Sequence, residues 1–199
     1  MYLLGINGSM RKKANTNMLI EIAFASAKEV TPTLETKVFH VADFKIDPCH
    51  SCFDVCSKVP YVCTNKKDDF QFIFDEIKKA DGVIIGSPVY YIIPSRLTAI
   101  IERFSCLVYF NEVRGYNGPE PFEGKPCGLI AVCALDSPLP VLEHLNKFAV
   151  ILRMKPVPIK AFPFMGVAGR VDFEKDTTYH PIDNAKALGK LLASEIQSK

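Results

Sequence analysis

Gly82-Val83-Ile84-Ile85-Gly86 is apolar without interruption, and Ser87-Pro88-Val89-Tyr90-Tyr91-Ile92-Ile93-Pro94 follows it directly. A strand with one wet face would alternate apolar and polar residues. A run without alternation suits a central strand of a parallel sheet, covered on both faces. Its flanks agree. Asp69 to Lys79 reads as a helix, with acids at its start and Lys78-Lys79 at its end, the polarity that a helix dipole favours. Ser95 to Val108 reads as the next helix.

The same alternation extends outward. Tyr2 to Asn7, Glu35 to Val41, Pro126 to Cys133 and Val157 to Phe162 read as strands, and Asn15 to Glu29, Pro138 to Leu152 and Ile182 to Gln197 as helices. Strand then helix, five times, implies a parallel sheet with helices on both faces. The expectation is a single α/β domain over residues 1–199, with a cysteine-rich loop at 47–66. A Gly-, Pro- and charge-rich stretch, Asn111 to Lys125, reads as a loop and marks an excursion at 109–125.

Composition narrows the function classes. The chain has 199 residues, 48% of them hydrophobic, which is enough for a sizeable core. The formal charge is +2 and no long basic run occurs, so nucleic acid is not an expected partner. No apolar run is long enough to cross a bilayer, and Met1-Tyr2-Leu3-Leu4-Gly5-Ile6 lacks the basic head of a signal peptide. A cytoplasmic location is therefore expected, where disulfides are disfavoured. Of the seven cysteines, Cys106, Cys127 and Cys133 sit among apolar neighbours and read as small buried hydrophobes.

In open α/β sheets, ligands sit beyond the carboxyl ends of the strands. The first such loop is Gly8-Ser9-Met10-Arg11-Lys12-Lys13-Ala14-Asn15-Thr16. It enters a helix, whose free N–H groups suit a phosphate. Ser9, Asn15 and Thr16 add short hydrogen-bonding side chains, and Arg11 a two-point cation. The competing reading is an ordinary polar turn capped by Asn15 or Thr16. Neither G-x-G-x-x-G nor G-K-[ST] is present, which argues against a dinucleotide fingerprint and a nucleotide-hydrolysing loop. In the third-strand loop, two tyrosines and two prolines form a stiff apolar ledge. It could lie against a flat ring or pack on a neighbouring subunit. No Ser-His-Asp or paired-carboxylate constellation is evident.

Cys49, Cys52, Cys56 and Cys63 are spaced C-x2-C-x3-C-x6-C. Such crowding suits a metal centre, because one loop can wrap an ion or cluster in four thiolates. Three readings stand: a [4Fe–4S] cluster, a zinc site, or free and reversibly oxidised thiols. His50, between the first two cysteines, reads as pointing away. His40, His144 and His180 show no ligand spacing.

Gly8-Ser9-x-Arg11 with Asn15-Thr16, Ala80-Asp81-Gly82 leading to Ser87-Pro88-Val89-Tyr90-Tyr91, and Glu102-Arg103 together resemble the flavodoxin-like FMN reductases. The cysteine run between the second strand and second helix resembles that superfamily's iron-sulfur flavoprotein branch, with one residue more before Cys56 than that branch usually has. The resemblance implies a three-layer sandwich with a five-stranded parallel sheet in the order 2-1-3-4-5. It implies FMN phosphate held by Ser9, Arg11, Asn15 and Thr16 with the Met10 backbone lining the same loop, and the flavin ring against Pro88, Val89, Tyr90 and Tyr91. It further implies a [4Fe–4S] cluster on Cys49, Cys52, Cys56 and Cys63, and a homodimer or homotetramer. The expected function is an FMN-dependent oxidoreductase relaying electrons between flavin and cluster, with NAD(P)H or ferredoxin as donor and a small molecule or protein as acceptor. The alternatives are an FMN or quinone reductase without a cluster and a flavodoxin-like electron carrier. The slight positive charge argues against the carrier. Glu102-Arg103 reads as structural, at a helix end.

Overall fold

The computed structural model describes residues 1–56, 58–113, 115, 118, 120–159 and 165–198. The elements in chain order are β1 (Tyr2–Asn7), α1 (Asn15–Val30), β2 (Glu35–His40), a 3-10 turn (Val41–Asp43), α2 (Phe53–Cys56), α3 (Phe70–Lys79), β3 (Gly82–Pro88), α4 (Ser95–Val113), β4 (Pro126–Cys133), α5 (Leu139–Ile151), β5 (Lys155–Pro156), β6 (Val167–Arg170) and α6 (Pro181–Gln197). The strands are ordered β2-β1-β3-β4-β5, with β6 also on β4, and every ladder is parallel. This is the order expected of a flavodoxin-like sandwich.

The uninterrupted apolar runs have the predicted cause. Every residue of β3 and of β4 is buried. Successive side chains leave opposite faces of a strand. Ile84, Ile130 and Leu3 pack with Leu19, Ile20, Leu188 and Leu192 of α1 and α6. Val83, Ile85 and Leu129 pack with Ile73, Phe104 and Leu145 of α3, α4 and α5. That second layer is aromatic: the rings of Phe74 and Phe104 lie 4.9 Å apart, and those of Phe74 and Phe122 5.1 Å apart. On the first layer, α1 and α6 touch at Gly189, where an added Cβ would lie 2.0 Å from the carbonyl oxygen of Ala23.

Three expectations need correction. The fifth strand is in two pieces, and Val157 to Ile159 is outside both. The first piece is held by Lys155 and Val157 N–H, which donate to the Lys125 and Cys127 carbonyls, while Pro156 and Pro158 fall at positions whose N–H would face away from β4. The chain rejoins β4 at Val167, which pairs with Ile130. Residues 160–162 of the expected strand lie outside the described residues. Second, α4 runs to Val113, so the excursion expected from 109 begins as helix. Of that stretch, Arg114, Tyr116, Asn117 and Pro119 lie outside the described residues. Third, Arg103 is consequently mid-helix rather than at a helix end.

Candidate functional site

The carboxyl ends of the central strands meet at one edge. Asn7 aligns with Gly86, and Pro88 with Val132. Gly8 N–H donates to the Gly86 carbonyl at 2.8 Å, and Val89 N–H to the Val132 carbonyl at 2.8 Å. The close approach explains Gly8, because a Cβ there would lie 2.9 Å from the Gly86 oxygen. The loops after β1, β3 and β4 therefore stand side by side. The crevice between β1 and β3 is the point where the strand order reverses.

The first loop is built from its own polar atoms. Asn7 is fully buried. Its Oδ1 accepts from Ser9 N–H at 3.0 Å, and its Nδ2 bonds His40 Nδ1 at 3.0 Å. Ser9 Oγ accepts from Arg11 N–H at 3.1 Å. Ser9 and Thr16 are buried, Met10 and Arg11 exposed. Asn15 Nδ2 donates to the Val171 carbonyl at 2.7 Å, tying the loop to the end of β6. The turn reading expected Asn15 or Thr16 as cap. Instead Ala14 occupies that position, and no side chain caps α1. The helix thus starts with N–H groups unserved by a side chain, at its positive end. Among the described residues, Arg11 enters no ion pair, whereas the neighbouring Lys12 pairs with Asp43.

The third-strand loop is a tight reversal. Tyr90 N–H donates to the Ile92 carbonyl at 3.3 Å, and Tyr91 takes a left-handed φ of 58°. That conformation carries strain for a non-glycine residue. It leaves Tyr91 fully exposed beside half-exposed Tyr90, while Pro88 is buried and Val89 partly so. The phosphate-type residues and the ledge residues are therefore brought to the same edge.

The cysteine loop lies beside this edge. A groove lined by Ile46, Pro48, Ile93, Ser95, Thr98 and Glu102 runs from Ile93 of the third-strand loop to the residue before Cys49. Cys49, Cys52, Cys56 and Cys63 line one pocket, together with His50, Arg103 and Cys106. The pocket encloses only about 20 Å³, room for one water-sized group. Among the described residues, no three His, Cys, Asp or Glu side chains are gathered as ligands of one ion. Four thiols are the donor type a thiolate-ligated cluster uses, but as they stand they share a pocket lining without converging on one centre.

Each thiol has a distinct partner. Cys52 Sγ bonds Thr64 Oγ1 at 3.1 Å, and Cys49 Sγ donates to Cys106 Sγ at 3.6 Å. Arg103, 2% exposed, donates through Nη2 to Cys63 Sγ at 3.1 Å. Through Nη1 it pairs with Asp68 and reaches the Asp47 carbonyl at 3.2 Å, and it lies 4.0 Å from the centre of the Phe70 ring. Burial alone would raise the Asp68 carboxyl. The Arg103 guanidinium and the N–H groups of Asp47 and Phe70 outweigh it and hold that carboxyl below the usual range. Burial, then Cys52 and Cys49, push the Cys56 thiol up. Burial and its bond to Cys49 take Cys106 to about 12. The start of α3 staples the loop. Asp69 accepts from Lys45 N–H at 2.8 Å, and Gln71 accepts from Cys63 N–H at 2.9 Å.

Three of these residues escape sequence reading. Cys106 is not a small buried hydrophobe but a partly accessible pocket thiol; Cys127 and Cys133 are buried as expected. Arg103 is structural, as read, but structural to the pocket, and Asp68 is its buried counter-charge. A local signal existed only for Asp68, as an acid before a helix.

A sequence model described as NADPH-dependent FMN reductase matches residues 1–167. An iron-sulfur flavoprotein of Methanocaldococcus jannaschii is 36% identical over 94 residues, 46% of this chain and 45% of that protein. One from Archaeoglobus fulgidus is 34% identical over 103 residues, 52% of this chain and 46% of the relative. The chain thus spans about half the length of both relatives. Another iron-sulfur flavoprotein of Archaeoglobus fulgidus is 27% identical over 201 residues, covering 100% of this chain and 82% of that one. Among solved structures, RosB with bound 8-demethyl-8-formylriboflavin-5'-phosphate superposes with a TM-score of 0.72 at 17% identity, over 100% of this chain and 79% of that one. An NADH:FMN oxidoreductase, EmoB, superposes with a TM-score of 0.57 at 19% identity, over 99% and 89%. These two likenesses establish the fold. Among the described residues, no helix is long and apolar enough to cross a membrane.

Proposed function

The chain belongs to the family of NADPH-dependent FMN reductases, and from that membership we propose that it is an FMN-dependent oxidoreductase relaying electrons between its flavin and a [4Fe–4S] cluster. The carrying observation is the meeting of three strand-end loops at the point of strand-order reversal, beside the uncapped start of α1. An anion suits that start, since backbone N–H groups there lack side-chain partners. In this reading Ser9, Arg11, Asn15 and Thr16 hold the FMN phosphate, the Met10 backbone lines the same loop, and Arg11 is the two-point cation. Pro88, Val89, Tyr90 and Tyr91 take the flavin ring, the rigid reversal at Tyr91 fixing the ledge.

Cys49, Cys52, Cys56 and Cys63 hold the cluster, and buried Arg103, charge-paired with Asp68, gives the Cys63 sulfur a hydrogen bond. When bound, FMN exchanges a hydride or single electrons, and a cluster exchanges one electron at a time. A groove running from Ile93 of the third-strand loop to Pro48, next to Cys49, supports a relay between the two sites. The donor is NAD(P)H or ferredoxin, and the acceptor a quinone, oxygen or another small oxidant. The whole forms one domain over 1–199, assembled as a homodimer or homotetramer.

The test is the visible spectrum and iron content of protein purified without oxygen, before and after dithionite. Flavin bands with a broad iron-sulfur shoulder and about four irons per chain are expected. Flavin bands without iron would remove the cluster and leave a reductase. Colourless protein that takes up no FMN would overturn the reading entirely.

A further inference from the structure

Cys106 lies outside the four-cysteine run, yet the fold brings its sulfur to 3.6 Å from that of Cys49, a residue 57 positions away. Its partner is distinct from those of the other pocket thiols: Cys52 faces Thr64, Cys63 faces Arg103, and Cys56 faces the Phe53 carbonyl at 3.9 Å. Cys49 and Cys106 are both partly accessible. One sits on the loop and the other on α4, so a bond between them would stitch loop to helix. For a disulfide the sulfurs must close from 3.6 Å to about 2.05 Å.

We propose that Cys49 and Cys106 form a reversible dithiol–disulfide site whose oxidant is a low-molecular-weight disulfide. The Cys49 sulfur attacks one sulfur of the external disulfide. A mixed disulfide forms on Cys49, and the first small thiol leaves with the Cys49 proton. The Cys106 sulfur then attacks Cys49 Sγ. The Cys49–Cys106 bond forms, and the second small thiol leaves with the Cys106 proton. Two protein thiols are oxidised and one external disulfide is reduced to two thiols; excess small thiol reverses both steps. The site rests on pocket geometry alone. Its consequence, withdrawal of Cys49 from the cluster ligands, rests on the proposed function.

The test treats anaerobically purified full-length protein, stripped of any iron with a chelator, with oxidised glutathione. Remaining thiols are then blocked with an alkylating agent, and the peptides are mapped by mass. The expected result is protection of two of the seven thiols, with one linked pair containing Cys49 and Cys106. Excess reduced glutathione should restore both. Cys106→Ser should lose the link and retain glutathione on Cys49. Links among loop cysteines with Cys106 alkylated, mixed disulfides alone in the wild type, or no oxidation at all would overturn the site. The wild-type map decides the matter even if the serine variant folds poorly. It does so whether or not iron or flavin is ever found in the protein.

Discussion

Arg11 and Arg103 show how differently one residue type is used in this molecule. Arg11 is exposed and, among the described residues, has no ion pair, so removing it should cost the fold little. Arg11→Ala should weaken FMN binding roughly tenfold or more, the scale of a lost charge-assisted bond. Fluorescence titration of the apoprotein measures this, and an unchanged dissociation constant would take Arg11 out of the site. Arg103 is walled in with Asp68 behind the thiols. Asp68→Asn leaves a buried guanidinium without its counter-charge, and the loss should reach about 3–5 kcal/mol in urea unfolding. Its pH dependence has a definite sign. The folded carboxyl is held below the usual value near 3.9. The wild-type stability from this pair is therefore complete above pH ~4 and fades as the pH falls through the lower folded value. The gap between wild type and variant should be flat from neutral down to about pH 5 and narrow below about pH 4. A gap that widens in acid would contradict the assignment.

At the scale of elements, α1 is the informative one. Its start has Ala14 where a cap belongs, in extended conformation suited to one. Ala14→Asp should stabilise the flavin-free protein by about 0.5–2 kcal/mol. It should at the same time weaken FMN binding, because a carboxylate then competes with phosphate. A simple turn would gain stability with no change in affinity. Where α1 meets α6, Gly189→Ala drives a methyl into the Ala23 carbonyl, so the helices must separate. A loss of about 1–3 kcal/mol is expected despite alanine's better helix propensity, read from the urea midpoint. The central elements were legible in the sequence because burial on both faces writes itself as an unbroken apolar run, as in β3 and β4. The outer strand was not legible. Two residues at Lys155–Pro156 and four at Val167–Arg170 are too short to show a period.

Over the whole molecule, the candidate flavin site exists only while β1, β3 and β4 hold their ends level. Ligand binding should therefore stabilise the entire fold. FMN at about 100 times its dissociation constant should add about 2.7 kcal/mol, which is roughly 5–10 °C in thermal midpoint for a chain of this size. Arg11→Ala should blunt the shift at fixed FMN. The cysteine pocket divides similarly between the legible and the illegible. Four of its thiols announce themselves by spacing. The fifth, and the Arg103–Asp68 pair, depend on contacts across 57 and 35 residues that no local pattern records. The split outer strand bears on how such a chain can change. β5 and β6 are each anchored on β4 by their own ladder, so neither sets the other's register. Length changes between Val157, whose N–H bonds the Cys127 carbonyl, and Gly166, which packs on Leu129, need not shift either ladder. That seam is where descendants of this fold can acquire new loops, and new specificities, at low risk to the old machinery.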